Sequence, residues 1–348
     1  MKAVFSKKRV LITGGLGFIG SNLARRLVDW EADVILIDSL MPQYGGNRHN
    51  IAGYEDRLRV QEADICNEAL MVALVQGQDY VFNLAGQSSH LDSMQDPYRD
   101  LEVNCKAQLT VLEACRKHNP GVKIIYASTR QIYGTPAYLP VDEKHPVAPV
   151  DINGIHKWAG EEYHLMYQRV YGIQSCVLRL TNIYGPRMRV KDARQTFLGW
   201  WIAQVLNGQT IRVFGDGTQL RDLSYIDDAV EALLYAAATD ACYGEIFNLG
   251  GDSPISLGAL AELLVAVHGA GRWISTPFPS AQKAIDIGHY YANDQKFRAL
   301  VGWRSTITVQ EGLARTLAYY REHGAQYWDP TAFCEANVSA PVSLKIAL

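Results

Sequence analysis

The chain has 348 residues, 48% of them hydrophobic and 20% charged, a globular composition with room for a large core or two domains. The formal net charge of −3 argues against a general nucleic-acid or membrane surface. No uncharged apolar stretch of about 18 residues and no signal-peptide-like run is present, so we expect no membrane partner. The six cysteines lack CxxC pairing and no cluster has metal-ligand spacing, which predicts reduced thiols, a cytoplasmic location and no metal site.

Short β-rich runs alternate with helix-like segments through the first half of the chain. The predicted strands cover residues 9–13, 33–38, 58–64, 80–85, 123–128 and 174–180. The predicted helices include residues 18–30, 67–76, 98–118 and 154–171. Strands alternating with helices imply parallel βαβ units, and apolar runs such as "VLIT" suit strands that are buried on both faces. We therefore predict an α/β fold with a Rossmann-type doubly wound parallel sheet.

A glycine-rich turn joins the first predicted strand to the first predicted helix. The stretch "VLITGGLGFIGSNLARRL" carries Gly14, Gly17 and Gly20, whose spacing allows a tight turn, a close backbone approach to a pyrophosphate and close helix packing. Asp38 ends the next predicted strand, near the spacing expected for a ribose-binding carboxylate. A carboxylate there accepts hydrogen bonds from the ribose 2′-hydroxyl and repels a 2′-phosphate. The pattern predicts NAD rather than NADP, and glycines that serve packing alone are the alternative.

Several further motifs follow in a fixed order between residues 8 and 320. With the glycine-rich turn they are "TGGLGFIG", "ADI", "NLAGQ", "VNCKAQLTVLEAC", "ASTRQIYG", "NGIHK", "RLTNIYGPR", "GDGTQLRDLSYIDD" and "FNLGG". On these motifs the chain resembles the extended short-chain dehydrogenase/reductase family, in its NAD-dependent nucleotide-sugar epimerase/dehydratase branch. The resemblance implies a Rossmann fold, a retained NAD and a nucleoside-diphosphate sugar as the substrate.

The resemblance also implies roles for single residues. Those it places on the cofactor are Gly14, Gly17, Phe18, Ile19, Gly20, Asp38, Asp64, Ile65, Leu84, Ala85, Gln87, Asn104 and Lys157. Thr129 matches the active-site Ser/Thr that hydrogen-bonds the sugar, and Lys157 matches the lysine on the nicotinamide ribose. Asn182 and Arg221 match residues that bind the diphosphate of the sugar nucleotide and nearby groups. An arginine in a Gly-rich loop is independently well suited to bidentate phosphate recognition.

The alternation of predicted strands and helices changes from about residue 183, where Gly, Pro and basic residues become more frequent. We predict a smaller, interleaved C-terminal substrate-binding domain after a dinucleotide-binding Rossmann domain. The Rossmann domain is expected over residues 1–182, with 222–250 returning to it. The substrate-binding region is expected over residues 183–221 and 251–348, and its last residues show no clear pattern.

The position four residues before Lys157 departs from the family. The two positions share one helix face, and the family has a proton-transferring Tyr where this chain has Asn153. A carboxamide is neither usefully acidic nor basic near neutral pH, and a general base contributes typically 10² to 10⁴ in rate, roughly 3–5 kcal/mol of barrier. The amide can still donate and accept, so we expect it to position a substrate hydroxyl or a relay water while Lys157 handles charge.

Three hypotheses address the missing tyrosine. In the first, another group transfers the proton: Lys157 foremost, then His156, Tyr133, Tyr290 or Tyr44. In the second, the substrate already bears a carbonyl and needs only enolisation or reduction. In the third, the chain binds NAD and a ligand without turnover.

A second departure narrows the reaction. The family's 4,6-dehydratases have an Asp-Glu pair after the active-site Thr, and this chain has Arg130 and Gln131 instead. Neither residue is a carboxylate, which disfavours a 4,6-dehydratase. Arg130 is expected to bind substrate through an anionic group such as a uronate carboxylate, or else to pair with an acidic neighbour.

We expect an epimerase that oxidises the sugar transiently with retained NAD, through a catalytic site of Thr129, Asn153 and Lys157. The alternatives are a non-catalytic NAD- and nucleotide-sugar-binding protein and a nucleotide-sugar decarboxylase or dehydrogenase. Segments 98–118 and 154–171 match two helices that form a dimeric four-helix bundle in many relatives, so a homodimer is expected. The apolar residues available for that bundle are Leu101, Leu109, Leu112, Tyr163, Met166 and Val170.

Overall fold

The computed structural model describes residues 1–193, 195–251 and 253–329. Its strands are β1 (Arg9–Thr13), β2 (Asp33–Asp38), β3 (Arg59–Glu62), β4 (Tyr80–Asn83), β5 (Lys123–Thr129), β6 (Ser175–Leu180), β7 (Asn182–Tyr184), β8 (Ile211–Phe214), β9 (Leu220–Arg221), β10 (Leu223–Tyr225), β11 (Ile246–Asn248), β12 (Ile255–Ser256) and β13 (Trp273–Thr276). Its α-helices are α1 (Lys2–Phe5), α2 (Phe18–Asp29), α3 (Glu68–Val75), α4 (His90–Gln95), α5 (Pro97–Leu101), α6 (Ala107–His118), α7 (Ile152–Tyr171), α8 (Phe197–Leu206), α9 (Ile226–Ala238), α10 (Leu257–His268), α11 (Ser280–Ala284), α12 (Gln295–Val301) and α13 (Val309–His323). None of the helices in these ranges is long and apolar enough to span a membrane.

One large sheet organises the described chain. Seven of the described strands pair in parallel in the order β11-β6-β5-β4-β1-β2-β3. The chain runs outward from β1 in both directions, so the strand order reverses between β1 and β4. In open α/β sheets a ligand crevice forms at such a switch point, beyond the carboxyl ends of the strands. The predicted α/β fold with a doubly wound parallel sheet is confirmed.

Both faces of the sheet are covered, which explains its continuous apolar runs. One core cluster joins the sheet to α2, α9 and the C-terminal helices, and a second joins it to α3, α6 and α7. In β1, Val10 and Ile12 belong to the first cluster and Leu11 to the second, as the two-residue period of a strand requires. The strand is therefore apolar at every central position.

The predicted strand over 80–85 ends earlier than expected, at Asn83. The backbone N–H groups of Leu84 and Ala85 both donate to Thr13 Oγ1, at 3.0 Å each, instead of continuing the ladder. The segment after β4 thereby turns along the crevice. The prediction missed this because a buried hydroxyl, and not a turn residue, ends the strand.

The predicted helix over 98–118 is divided into three parts. α5 is followed by a π-helical turn (Glu102–Lys106) and then by α6. Gln108 Nε2 donates to Val103 O at 3.2 Å, which satisfies one of the carbonyls that the wider turn releases.

The later part of the chain contributes to two regions. α9 packs on the large sheet and β11 pairs with β6, with Ile246 opposite Val177. Around α8, α10 and α13, the short parallel pair of β8 and β13 builds a smaller neighbouring region. The predicted domain boundaries stay a prediction, and the part of the substrate-binding region at residues 330–348, with Cys334, lies outside the described residues.

Candidate active site

A cavity of about 590 Å³ opens at the carboxyl ends of the sheet strands. Most residues predicted for the site lie on its wall: Gly14, Gly17, Phe18, Ile19, Gly20, Asp38, Asp64, Ile65, Leu84, Ala85, Gln87, Thr129, Arg130, Asn153, Lys157, Asn182 and Arg221. The crevice at the switch point therefore brings together residues that are up to about two hundred positions apart in the sequence.

Asn104 is the exception, because it lies behind the wall. Its side chain is fully buried and its Nδ2 donates to Gln87 O at 3.0 Å. A Cβ on Gly86 would lie 2.9 Å from Lys157 Nζ and 3.0 Å from Asn104 Oδ1. Asn104 therefore supports the segment that faces the cavity, a contact that motif matching did not predict.

The glycine-rich turn forms a cradle at one end of the cavity. Gly14 has φ +65°, and a Cβ there would lie 3.0 Å from the backbone of Ala85. A Cβ on Gly20 would collide with the carbonyl oxygen of Gly14. No side chain caps α2, which begins after Gly17, so its first N–H groups are left for a ligand. A close backbone approach at a helix N-terminus fits a pyrophosphate.

Asp38 stands beside this cradle at the end of β2. Its Oδ2 accepts from Leu16 N–H at 3.0 Å and its Oδ1 from Leu40 N–H at 2.9 Å. Burial raises the pKa of Asp38, and these backbone hydrogen bonds act in the opposite direction. Each carboxylate oxygen keeps a second lone pair, so the residue is fixed in place and still able to accept from a ribose hydroxyl.

Lys157 reaches the cavity from the first turns of α7. Its Nζ donates to Ala127 O at 3.0 Å and lies 5.1 Å from the centroid of the Tyr126 ring. Burial lowers the pKa of Lys157 to about 8, and the nearby carboxylate of Asp100 partly offsets that shift. A lysine with a pKa of about 8 can gain or lose a proton near neutral pH.

Asn153 lies one turn before Lys157 and is 1% exposed. Its Nδ2 donates to Gln87 O at 2.7 Å and to Asp100 Oδ2 at 3.1 Å. Both amide hydrogens are thus used in hydrogen bonds to protein atoms, so only Oδ1 can bind a ligand. The expectation that this amide also donates to a substrate hydroxyl or a water is not supported by these contacts.

Thr129 ends β5 and begins a short 3₁₀ turn, with its Oγ1 accepting from Gln131 N–H at 3.2 Å. Gln131 Nε2 donates to Asp151 Oδ2 at 2.8 Å. Asp151 caps α7 by accepting from Gly154 N–H at 2.7 Å. Thr129 and the start of α7 are therefore held together through Gln131.

His90 lies on the same wall and was missed in the sequence analysis. Its Nδ1 is 3.0 Å from Asp151 Oδ2, and its side chain is 32% exposed while that of Asp151 is fully buried. A signal was available, because His90 follows the motif "NLAGQ" by three positions. Its partner is 61 positions away in the chain, and no local pattern connects the two.

The other residues considered for proton transfer are buried, already hydrogen-bonded or have a raised pKa. Tyr133 is buried, with its hydroxyl donating to Asn248 Oδ1 at 2.8 Å, and burial raises its pKa to about 12. Tyr290 is 1% exposed, and His156 Nδ1 is held 2.7 Å from Asp100 Oδ1. Tyr44 lies on the cavity wall, where burial raises the pKa of its hydroxyl.

Two arginines mark the other end of the cavity. Arg130 Nη2 donates to Asn182 Oδ1 at 3.3 Å, while its buried Nη1 has no hydrogen-bond partner among the described residues. Arg221 Nη1 donates to the carbonyls of Leu220, at 2.8 Å, and Gly288, and its Nη2 lies 3.6 Å from Asp286 Oδ1. Burial and then the charge of Arg130 lower the pKa of Arg221 to about 10. This end of the cavity is built for an anionic ligand.

The glycine cradle and the fixed carboxylate of Asp38 give half of the cavity the shape and charge of a dinucleotide site. The two arginines leave the other half to a second, anionic ligand. The fold and the site together define a dinucleotide-binding protein of the Rossmann class.

Comparison with known proteins identifies the family. Residues 10–250 match the model of the NAD dependent epimerase/dehydratase family, and the chain belongs to that family. The UDP-glucose 4-epimerase of Mycolicibacterium smegmatis is 31% identical over 314 residues, which are 90% of this chain and 98% of the relative. Relatives at 28% and 29% identity include a UDP-glucuronic acid decarboxylase and a dTDP-glucose 4,6-dehydratase.

Solved structures agree with this assignment. The UDP-glucose 4-epimerase of Thermotoga maritima, solved with UDP-glucose, has a TM-score of 0.82 and 30% identity, covering 90% of this chain and 99% of its own. The UDP-glucuronic acid 4-epimerase of Bacillus cereus, in complex with UDP-glucuronic acid and NAD, has a TM-score of 0.80 and 27% identity, covering 90% and 99%. NAD is the cofactor of the family, and the cradle described above fits it.

Proposed function

We propose that the chain is an NAD-dependent nucleotide-sugar epimerase that oxidises one sugar carbon transiently and reduces it again. The observation that carries the proposal is one cavity in which Thr129 and Lys157 lie between the dinucleotide cradle and the arginine pair. A sugar nucleotide with its diphosphate at Asn182 and Arg221 reaches back toward Thr129 in this arrangement. The epimerases among the relatives support it.

When bound, NAD would supply the hydride acceptor for the sugar carbon. Thr129 keeps its hydroxyl hydrogen for a sugar oxygen, because its Oγ1 only accepts from the protein. Lys157 would hold the nicotinamide ribose, as the resemblance implies, and its ammonium would favour negative charge on the sugar oxygen. Asn153 holds the Gln87 segment against α7 and so shapes the wall that both ligands touch.

Arg130 restricts the range of sugars that the cavity is expected to accept. A buried guanidinium nitrogen without a partner is unfavourable unless a ligand satisfies it. The diphosphate is assigned to Arg221 and Asn182, so Arg130 is available for a further anionic group such as the carboxylate of a hexuronate. This contact favours nucleotide hexuronates over neutral hexoses, and it is also the observation that keeps a decarboxylase as the second candidate.

The test is incubation of the purified chain with NAD and a panel of UDP- and dTDP-linked hexoses and hexuronates, read by chromatography and mass spectrometry. An epimerase yields an isomer of unchanged mass and no net reduced cofactor. A decarboxylase yields a product lighter by carbon dioxide, and a dehydrogenase yields reduced cofactor in proportion to product. Binding of a panel member without conversion supports the non-catalytic alternative and overturns the proposal.

A homodimer through α5 and α7 remains part of the proposal. Tyr98, Leu101, Ile155, Trp158 and Val170 expose apolar side chains on these helices, which form an unpartnered surface within one chain. Leu112, expected in that surface, is instead fully buried in the core between α6 and the sheet.

A further inference from the structure

The His90–Asp151 pair is not explained by the family resemblance, and its histidine lies on the cavity wall. The cavity wall includes His90, Thr129, Asn153 and Lys157. The family's tyrosine position holds an amide that cannot transfer a proton. The inference below rests on the proposed function, because it concerns the proton that leaves the sugar hydroxyl.

The geometry of the pair assigns different tasks to the two imidazole nitrogens. Nδ1 is buried and lies 3.0 Å from Asp151 Oδ2, which is an ion-pair distance without the alignment of a hydrogen bond. Nε2, on the far side of the ring, is left for a ligand. Nδ1 is buried, whereas the His90 side chain as a whole is 32% exposed and lines the cavity, so the exposed part of the ring is on the side of Nε2. A carboxylate that holds one nitrogen while the other takes a proton is the arrangement used by hydrolase triads.

Asp151 is itself fixed, which makes it a good positioning residue. Its side chain is fully buried and accepts from Gly154 N–H at 2.7 Å and from Gln131 Nε2 at 2.8 Å. These contacts come from α7 and from the turn after β5, which also carries Thr129. The imidazole is thereby tied to the elements that position the sugar-binding hydroxyl.

The remaining basic groups are engaged elsewhere. His156 Nδ1 is 2.7 Å from Asp100 Oδ1, and this histidine is not among the described residues that line the cavity. Lys157 donates to Ala127 O and is needed as a cation beside the ribose. His90 is an imidazole on the cavity wall whose Nε2 has no hydrogen-bond partner among the described residues.

We infer that His90 is the proton-transfer residue of this chain and that Asp151 positions it. As the carbinol C–H bond breaks, its hydride would leave for the nicotinamide ring of the oxidised NAD that the proposed function requires, and the hydroxyl O–H bond also breaks. The proton passes to His90 Nε2, the carbon–oxygen double bond forms, and Asp151 stabilises the imidazolium. When hydride returns to the other face of the carbon, the Nε2–H bond returns its proton to the oxygen. Protons and electrons balance over the cycle, as an epimerisation requires.

The experiment compares His90→Ala, Asp151→Asn and a control, His118→Ala, which changes an exposed histidine at the end of α6. With the panel sugar that the wild type converts, His90→Ala should lose about 10²- to 10⁴-fold in kcat, the usual contribution of a general base. Added imidazole should restore part of that loss in His90→Ala and change nothing in the control. NAD affinity, measured by calorimetry, should stay at the wild-type value.

Asp151→Asn tests positioning separately from folding. Asn is as good an N-cap as Asp, so Gly154 N–H keeps its acceptor and α7 its start. The variant should lower kcat while KM and the melting temperature remain close to the wild-type values. A fall in melting temperature with unchanged kcat would assign Asp151 to structure alone and refute its positioning role.

The possible failures are distinguishable. If the wild type converts a sugar and His90→Ala converts it equally fast, the His90 assignment is overturned and the proposed epimerase stands. If His90→Ala is slow but imidazole restores nothing at any concentration, proton transfer by His90 is overturned as well. If the wild type converts no sugar in the panel, the proposed function fails and the proton-transfer role fails with it.

Discussion

Replacing Asn153 with the family's tyrosine should destabilise the protein and give no gain in turnover. Asn153 is 1% exposed, and its Nδ2 donates to a backbone carbonyl at 2.7 Å and to the buried carboxylate of Asp100 at 3.1 Å. A hydrogen bond to a neutral acceptor contributes about 0.5–1.5 kcal/mol and one to a charged acceptor about 1.5–3 kcal/mol. Losing both should lower the free energy of unfolding by about 2–4 kcal/mol.

The bulk of the phenol adds a second penalty. Overpacking a filled site costs about 1–3 kcal/mol, so Asn153→Tyr should lose about 3–7 kcal/mol in total. Asn153→Leu is the matched control, because Leu is close to Asn in size and lacks both amide hydrogens. Urea denaturation of the two variants and the wild type, each free of added cofactor, separates the hydrogen-bond contribution from the bulk contribution.

Turnover is measured on the same three proteins with the panel sugar that the wild type converts. The displaced Gln87 segment should leave kcat of Asn153→Tyr no higher than that of the wild type. A variant that turns over much faster, with a free energy of unfolding near the wild-type value, would refute the reasoning. It would show that Asn153 is a lost catalytic position and not an anchor.

Three further changes test other parts of the site. Asp38→Ala should erase a preference for NAD over NADP, measured by calorimetric titration, and equal wild-type affinity for the two cofactors would contradict the ribose assignment. Lys157→Met should abolish turnover. The pKa of Lys157 in the folded protein, about 8, is below its value in the unfolded chain. The free energy of unfolding of the wild type should therefore rise relative to that of this variant between about pH 8 and about pH 10.5. A difference in urea midpoints that does not change with pH would be inconsistent with that pKa. Arg130→Gln should raise KM for UDP-glucuronate much more than for UDP-glucose, whereas equal effects on both would assign Arg130 to the diphosphate.

The sequence predicted the parts of the site that depend on local patterns. The turn at Gly14 and Gly20 follows a local glycine spacing, and a Cβ at either position would meet backbone atoms, those of Ala85 for Gly14 and those of Gly14 for Gly20. Asp38 and Lys157 follow from strand and helix spacing. The six predicted strands of the first half of the chain are present, with ends that differ by a few residues.

The rest depends on contacts between distant segments. The departure from the family at Asn153 stays a prediction, and the hydrogen bonds of this residue to Gln87 and Asp100 are set by the packing of α7 on the segment after β4. His90 and Asp151 meet for the same reason. Leu112 and Val170 carry similarly apolar side chains on neighbouring helices, yet Leu112 is fully buried and Val170 is 59% exposed. The apolar periodicity of a helix does not predict which other element covers its apolar face, so the sequence could not distinguish the two residues.

The hydrogen bond from Asn153 to Gln87 O has a thermodynamic consequence. The segment from Leu84 to His90 carries cofactor-facing residues at one end and the imidazole at the other, and Asn153 joins its middle to α7. If a bound cofactor favours one position of this segment, it also selects the position of His90, and the two binding events then share a free energy. Linkage would make that coupling reciprocal: a sugar that favours the same position of His90 would tighten cofactor binding by an equal factor. Under the proposed function, in which the cofactor is regenerated in every cycle, the cofactor would be held most firmly while a substrate is present.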